Sequence, residues 1–282
     1  MTELLTVDKL SVRYAGTSRP SIADVSFTVT AGEVVGVVGE SGSGKTTLGL
    51  ALLGLLPQGT EVRGGARFDG TEILGVSERV LRPLRGTKLS TIVQNPATAL
   101  NPSFSIGSQM IALLRRHRRL STQEARGLAI EWLGRVGIGE PENRMNSYSH
   151  QLSGGMNQRV VIAMALALSP RLVIADEPTS ALDVTVQAGI LHLIKDLIAE
   201  SRSSMVLITH DLGVVAQMCS RVMVMKDGKV VETGEVDQIF HAPRHGYTKH
   251  LLASQPSRTS APARGLSSSE SDTNVFREQT YD

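Results

Sequence analysis

Cysteine is nearly absent from this chain, whose 282 residues include a single thiol, Cys219. One cysteine cannot form a disulfide within the chain, and it cannot build a metal site from several thiolates. Such sparing use of cysteine fits a reducing compartment. Hydrophobic residues make up 41% of the chain, which is enough for an ordinary globular core. We therefore expect the fold to rest on its core rather than on covalent cross-links.

Long hydrophobic runs are missing as well. The longest one lies near residues 160–168, well short of the ~20 residues that span a bilayer. The opening sequence, MTELLTVDKL, carries Glu3 and Asp8 and lacks a basic segment followed by an apolar one. It therefore predicts no signal peptide. If this protein works at a membrane, we expect it to dock on another protein that spans the bilayer.

The chain also lacks a large excess of either positive or negative charge. The chain has 29 Lys and Arg residues against 27 Asp and Glu residues. Proteins that bind nucleic acid usually show a basic patch or stripe, whereas a balanced mixture of charges is typical of a solvated surface. The composition therefore predicts no nucleic-acid partner.

The pattern of apolar residues predicts an α/β fold. Two N-terminal segments partly alternate apolar and polar residues, which is typical of strands with one exposed face. Three short apolar runs predict buried strands of a parallel sheet, and the longer segments around them predict helices. The half-exposed strands are predicted at 5–14 and 23–29, the buried strands at 34–38, 172–175 and 205–209, the helices at 45–53, 108–137, 151–168 and 184–200, and a hairpin with an Asp227-Gly228 turn at 222–232.

A glycine-rich loop follows the first buried strand and matches the phosphate-loop pattern GxxxxGK[ST]. Glycines let the backbone pass close to a phosphate with its N–H groups pointing inward, and the next helix presents its positive end to the same anion. Lys45 is predicted to face the β- and γ-phosphates of ATP, and the Thr46 hydroxyl is predicted to bind Mg²⁺. The predicted nucleotide-binding residues here are Gly39, Glu40, Ser41, Gly42, Ser43, Gly44, Lys45, Thr46 and Thr47.

Two acids, Asp176 and Glu177, end the second buried strand. An acid pair in this position is often only a solvent-exposed turn, but ligands of open α/β sheets bind at the carboxyl ends of strands. Adjacent strand residues point to opposite sides, so Asp176 is predicted to face Mg²⁺ and Glu177 an attacking water. Glu177 is the candidate general base in a reaction that mainly positions water and neutralises developing charge.

The run Leu-Ser-Gly-Gly-Met at 152–156 lies between the phosphate loop and the acid pair. Ser153 can cap a helix, and Gly154 and Gly155 can expose the first amides of that helix to an anion. An ordinary capped helix with a glycine-rich entry fits the run equally well. The run resembles the signature sequence LSGGQ of ABC ATPases, with Met156 in place of the final glutamine.

Other elements of the ABC ATPase family fall in the expected order. Tyr14 resembles the aromatic residue that stacks on adenine, the alternative being an ordinary strand tyrosine. Gln94 matches the glutamine that senses Mg²⁺ and the transmembrane partner, and Asn95 stands where many relatives carry an acid. Asp183 lies in a loop that resembles the one communicating across the ATPase dimer. His210 matches the switch histidine that contacts the γ-phosphate.

The resemblance covers residues 5–253 and implies a fold, a site and a mechanism. The implied fold is an α/β phosphate-loop NTPase core with a parallel sheet, an antiparallel β subdomain and a helical subdomain. The ATPase domain is expected at 1–256, with its helical part at about 97–168 and a disordered tail at 257–282. Two subunits would sandwich two ATP molecules with Mg²⁺. The implied catalytic residues are Glu177, His210, Gln94 and Lys45, and the implied metal ligands are Thr46, Gln94 and Asp176. The implied nucleotide-binding residues outside the phosphate loop are Tyr14, Ser153, Gly154, Gly155 and Asp183, of which Ser153 and Gly155 would complete the site of the partner.

Three segments, at 94–102, 152–159 and 240–256, resemble the branch of peptide and nickel importers. This implies a cargo of di- or oligopeptides, nickel or a metal–chelator complex. The implied partners are two transmembrane permease subunits, an identical or homologous ATPase subunit and an extracytoplasmic substrate-binding protein. The ATPase would lie peripherally on the cytoplasmic face of the membrane. With one cysteine, no iron–sulfur site is expected. An exporter ATPase and a non-transport ABC ATPase remain the alternatives.

Overall fold

Two β-sheets and a block of helices make up the part of the chain that the structure describes. This computed structural model describes residues 2–254, apart from the side chain of residue 184. The tail predicted to be disordered, 257–282, lies outside the described residues. No helix within the described part is both long and apolar enough to cross a membrane.

The larger sheet has six strands in the order β10-β9-β3-β8-β7-β6. Five of them run parallel, and β10 pairs antiparallel with β9. Asp227 and Gly228 join those two strands with positive φ angles of 49° and 78°, which suits a tight hairpin turn. The strands are β3 (Val34–Val38), β6 (Leu89–Ile92), β7 (Leu172–Asp176), β8 (Ser204–Thr209), β9 (Arg221–Lys226) and β10 (Lys229–Glu235).

The smaller sheet is antiparallel, with the order β2-β1-β4-β5. Alternate side chains of its long strands are buried, as the polar–apolar alternation predicts. Helix α1 lies between the two sheets, and its Leu48 and Leu52 share one core with residues of both. The strands are β1 (Glu3–Arg13), β2 (Ile22–Thr30), β4 (Glu61–Phe68) and β5 (Thr71–Glu72), and α1 covers Lys45–Leu53.

Helices α3–α7 form a block between β6 and β7 and share a core with the adjacent face of the larger sheet. The single helical stretch predicted at 108–137 is divided in the structure, because Ser121 and Glu124 form a reciprocal capping box that starts a new helix. The helices before and within the block are α2 (Glu78–Leu81), α3 (Pro96–Ala99), α4 (Ile106–His117), α5 (Thr122–Arg135), α6 (Pro141–Arg144) and α7 (Gly154–Leu166).

Four further helices follow β7 in the described chain. Helix α8 packs beside α7 in the core of the helical block, and α10 and α11 contribute to a separate core at the end of β3. Helix α9 contributes residues to both cores. Helix α8 connects β7 to β8, and α9 connects β8 to β9, in keeping with an alternating α/β pattern. Their bounds are α8 (Val184–Ser201), α9 (Leu212–Met218), α10 (Val236–His241) and α11 (Gly246–Ala253).

Candidate active site

The phosphate loop joins β3 to α1 and packs tightly against the backbone of neighbouring segments. Gly39 has φ +156°, and a Cβ there would lie 2.2 Å from the carbonyl oxygen of Met225. Gly44 has φ +100°, and its Cβ would lie 2.6 Å from the carbonyl oxygen of Ser21. Both positions therefore exclude any side chain, since the backbone is left-handed and other backbone atoms occupy the space.

The Lys45 ammonium lies inside this loop. Its Nζ donates hydrogen bonds of 2.8 Å to the carbonyl oxygens of Gly39 and of Glu40. Burial lowers the pKa of Lys45, while the nearby carboxylates of Glu177 and Asp176 act in the opposite direction. The loop thus holds a cation at the start of α1, where the first amides of the helix have no intrahelical partner.

A cavity of about 1330 Å³ opens over the loop. Gln94, Glu177 and His210 line it from the ends of β6, β7 and β8. The carboxyl ends of parallel strands meet at one edge of a sheet, which explains how residues far apart in sequence converge here. The structure therefore brings the predicted loop and three of the predicted catalytic side chains to one cavity.

Both carboxylate oxygens of Glu177 are engaged. Its Oε1 lies 2.9 Å from Nδ1 of His210, and its Oε2 accepts a hydrogen bond of 3.0 Å from Nε2 of Gln94. The backbone of Glu177 is left-handed, with φ 44°, a conformation that costs a non-glycine residue about 1–2 kcal/mol. The Glu177 amide compensates in part by donating to the carbonyl oxygen of Ile208 at 2.8 Å.

Asp176 occupies a different environment from its neighbour. The Thr46 hydroxyl donates a hydrogen bond to the Asp176 carboxylate, yet burial is the largest influence and raises the pKa of this acid. Its Oδ1 is buried and has no hydrogen-bond partner in the described chain. Strand alternation predicts that the two acids point to opposite sides. In the structure the strand ends at Asp176, and Glu177 follows it in a left-handed conformation, so strand alternation does not extend to Glu177.

These oxygens fit a magnesium ion. Mg²⁺ prefers hard oxygen ligands and is usually held by one or two protein groups together with substrate phosphates. Thr46, Asp176 and Gln94 offer a hydroxyl, a carboxylate and an amide oxygen, and the orphaned Oδ1 of Asp176 is an acceptor without a donor. The described residues contain no cluster of three or more His, Cys, Asp or Glu side chains that could hold a metal ion.

Other predicted residues lie outside the cavity. Ser153 caps α7 by accepting from the amide of Met156 at 3.3 Å, and Asp183 caps α8 by accepting from the amide of Val186 at 3.0 Å. A Cβ on Gly155 would lie 2.8 Å from Val186 Cγ1. The signature run and the Asp183 loop therefore meet each other within the subunit, and neither they nor Gly154 line the cavity over the loop.

Tyr14 contacts the helix that follows the phosphate loop. Its hydroxyl lies 3.1 Å from Oγ1 of Thr47, and its side chain is half-buried. Thr47 lines the cavity, as does Arg19 in the connection between β1 and β2, whereas Tyr14 does not. The structure therefore places the residue predicted to stack on adenine next to a wall of the cavity rather than in the wall itself.

The nucleotide cavity also has walls that the motifs do not predict. The Asp227-Gly228 turn joins the loop to β2, because the Gly228 amide donates to the carbonyl oxygen of Ser43 at 3.2 Å and the Gly228 carbonyl accepts from the Ala23 amide at 2.8 Å. Leu251 and Ser254 line the cavity from the C-terminal side. The sequence predicts the hairpin turn, but no local pattern places this turn or the C-terminal segment beside the phosphate loop.

Comparison with known proteins identifies the family. A profile of the family described as ABC transporter matches residues 22–180. The oligopeptide transport ATP-binding protein OppD of Bacillus subtilis (strain 168) is 47% identical over 265 residues, which cover 93% of this chain and 74% of that protein. The dipeptide transport ATP-binding protein DppD of Escherichia coli (strain K12) is 46% identical over 256 residues, covering 90% of this chain and 78% of that one.

A solved structure agrees with this assignment. The dimeric post-hydrolysis state of the ATP-binding cassette MJ0796, bound to ADP and Pi, superposes with a TM-score of 0.74 at 28% sequence identity, covering 83% of this chain and 99% of that one. The fold class predicted from the sequence is thereby confirmed. Together with the profile match and the two relatives, this likeness shows that the chain belongs to the ABC transporter family as an ATP-binding, ATP-hydrolysing subunit.

Proposed function

We propose that this chain drives an importer of di- or oligopeptides from the cytoplasmic face of the cell membrane. The support is kinship, since two relatives that are 47% and 46% identical are named for oligopeptide and dipeptide transport. The proposed partners are two transmembrane permease subunits, an identical or homologous ATPase subunit and an extracytoplasmic substrate-binding protein. The proposed ATPase domain spans 1–256, and the block of helices between β6 and β7 supports a helical subdomain at about 97–168.

ATP binds over the phosphate loop in this proposal. The loop backbone and the first amides of α1 receive the phosphates, and Lys45 supplies a positive charge from inside the loop. Two carbonyl oxygens hold its ammonium at 2.8 Å. Because those carbonyl groups are weaker partners than a phosphate oxygen, the lysine can exchange them for the β- and γ-phosphates when ATP enters.

Thr46, Asp176 and Gln94 are the proposed ligands of Mg²⁺. When bound, the ion would neutralise part of the negative charge that develops on the transferred phosphoryl group. The carboxylate of Asp176 is suited to this role because it is partly desolvated and has one oxygen without a donor. A cation beside it would stabilise its ionised form.

Glu177 is the proposed general base, and the two contacts of its carboxylate carry this assignment. Gln94 and His210 fix the carboxylate from opposite oxygens at 3.0 Å and 2.9 Å. A base held in this way needs no reorganisation when it takes a proton from the attacking water. His210 is then placed beside both the base and the cavity, where it can contact the γ-phosphate.

Dimer closure completes each site in this proposal. Ser153, Gly154 and Gly155 begin α7 outside the cavity of their own subunit, and a helix N-terminus of this kind binds anions. They would therefore contact the ATP held by the phosphate loop of the partner. Asp183 belongs to the loop proposed to communicate between the two sites. ATP drives closure only because it makes these additional contacts in the closed state.

The substitution Glu177→Gln tests the assignment of the base. It keeps the size and polarity of the side chain but removes the carboxylate, so turnover should fall at least about 100-fold while MgATP still binds and the closed dimer accumulates. Glu131→Gln on the exposed surface of α5 is the matched control and should hydrolyse ATP at the wild-type rate. Turnover of Glu177→Gln within a few-fold of wild type would show that another group is the base.

A further inference from the structure

The C-terminal helix α11 packs against the strand that leads into the phosphate loop. Tyr247 and Leu251 are 7% and 8% exposed, and they share a core with Val38, the last residue of β3. Leu251 also lines the nucleotide cavity. Helix α11, which belongs to a segment that in the sequence indicates only kinship, thus lies directly beside the loop.

Tyr247 makes a polar contact with the loop itself. Its hydroxyl accepts a hydrogen bond of 3.1 Å from the backbone amide of Glu40. Nζ of Lys226 lies 4.7 Å from the centroid of the tyrosine ring and holds the ring by a cation–π contact. Burial raises the pKa of the Tyr247 phenol, so the hydroxyl stays protonated at neutral pH.

The residues that lead into α11 are anchored to β10, which makes the tyrosine a fixed partner. The carboxylate of Glu232 accepts from the amides of Arg244 at 2.8 Å and His245 at 3.0 Å, just before the helix begins. His245 then caps the helix, since its Nδ1 accepts from the Tyr247 amide at 3.1 Å. The hydroxyl is therefore presented to the loop from a framework that does not depend on the loop.

Tyr247 and Lys45 hold opposite ends of the same peptide group. The amide of Glu40 and the carbonyl of Gly39 belong to one planar unit. Tyr247 accepts from the amide, and Nζ of Lys45 donates to the carbonyl at 2.8 Å. Rotation of this peptide would break both contacts, so the tyrosine hydroxyl fixes the plane that positions the lysine ammonium.

We propose that Tyr247 is a positioning residue for the phosphate loop, acting on ATP binding through the Gly39–Glu40 peptide. This inference rests on the proposed role of the loop in binding ATP. Without the hydroxyl, only the Lys45 contact still holds the peptide, so the peptide rotates more easily and the loop is correctly formed for a smaller part of the time. The apparent affinity for ATP falls with that fraction, whereas the base and its partners are unaffected once ATP is bound.

The substitution Tyr247→Phe removes the hydroxyl and keeps the ring. In the full chain we expect labelled ATP to bind about three- to tenfold more weakly, the effect of losing about one hydrogen bond. The KM for ATP should rise in proportion, and kcat should stay within about twofold. Amide hydrogen exchange in the loop should also become faster. Tyr148→Phe, which removes a hydroxyl from an exposed tyrosine, is the matched control and should change none of these quantities.

Two results would overturn the inference. A lower melting temperature with unchanged ATP affinity and unchanged loop exchange would make Tyr247 a packing residue only. A fall in kcat with unchanged KM would place its effect on the chemical step instead. Lys45→Ala separates this inference from the proposed function: if Lys45→Ala weakens ATP binding and Tyr247→Phe does not, only the tyrosine is misassigned. If Lys45→Ala leaves binding unchanged, the assignment of the loop itself fails.

Discussion

Asp176 and Glu177 are neighbours in sequence, yet their surroundings suit them to different tasks. Glu177 is held by two side chains at the cavity, whereas Asp176 is partly desolvated and keeps one oxygen without a donor. A buried acid without full compensation destabilises the folded state whenever it is ionised. The proposed metal ligand should therefore lower stability in the absence of metal and nucleotide.

The substitution Asp176→Asn should separate stability from activity. It removes the partly desolvated charge and keeps an acceptor for Thr46, so the melting temperature without nucleotide or Mg²⁺ should rise at pH 7. Mg²⁺-dependent turnover should fall by about 100-fold, as expected when a preorganised electrostatic group is lost. Thermal melting and ATPase assays on the same preparation measure both effects.

The gain in stability expected for Asp176→Asn should depend on pH in one direction. Burial raises the pKa of Asp176 in the folded state, so the folded chain binds its proton more tightly than the unfolded chain. The destabilisation is absent below the unfolded pKa of about 3.9 and grows as the pH rises through the higher folded value. The stability advantage of Asp176→Asn should therefore shrink as the pH is lowered from 7 toward 4. An advantage that grew on acidification would contradict the assignment of a partly desolvated, ionised carboxylate.

At the scale of elements, the sequence predicts seven of the ten strands in the described chain but not β4, β5 or β6, and it predicts one helical region where the structure has two helices. The buried strands are correct because a short run of consecutive apolar residues between turn signals leaves few other structures open. The stretch at 108–137 is predicted as one helical region because Arg, Leu, Ala and Glu are all good helix formers. The capping box at Ser121 and Glu124 divides this stretch, because its local hydrogen bonds start a new helix instead of continuing the previous one.

The substitution Ser121→Ala tests the importance of that cap. It removes the acceptor for the Glu124 amide and should cost about 1 kcal/mol, which lowers the melting temperature by about 2–4 °C in a domain of this size. ATP turnover of the isolated subunit should not change, since α5 does not contribute to the cavity. Ser103→Ala, at an exposed serine that caps no helix, is the control. Equal melting temperatures for both variants would show that the cap contributes nothing.

At the scale of the whole molecule, the sequence predicts those parts of the site that are contiguous. The phosphate loop is eight consecutive residues from Gly39 to Thr46, so its chemistry can be recognised from spacing alone. The contact from Tyr247 to Glu40 joins residues separated by 207 positions. The position of the Asp227-Gly228 turn beside the phosphate loop depends on the order of strands in the sheet. Such contacts are set by tertiary packing, which no local pattern encodes.

The placement of Ser153 outside its own cavity leads to a prediction about the assembled dimer. If Ser153 completes the site of the partner, Ser153→Arg places a bulky cation in that interface. A single subunit should still bind ATP through its phosphate loop but fail to dimerise or to hydrolyse ATP. Ser153→Ala, which loses only the helix cap, should lower stability by about 1 kcal/mol and should reduce turnover far less than the arginine does.

Two copies of the chain joined by a flexible linker show in which subunit Ser153 acts. With Ser153→Arg in one copy and Lys45→Ala in the other, both defects fall on the same site under the shared-site arrangement. The linker keeps the two copies together despite the arginine, so one intact site remains and ATP is still hydrolysed. With both substitutions in the same copy, each site carries one defect and hydrolysis should be lost. If Ser153 served its own subunit, the two tandem proteins would exchange behaviour, because the copy carrying both substitutions would leave the other copy intact. Turnover of the two tandem proteins, measured beside the unsubstituted tandem, therefore decides whether each ATP lies between two subunits.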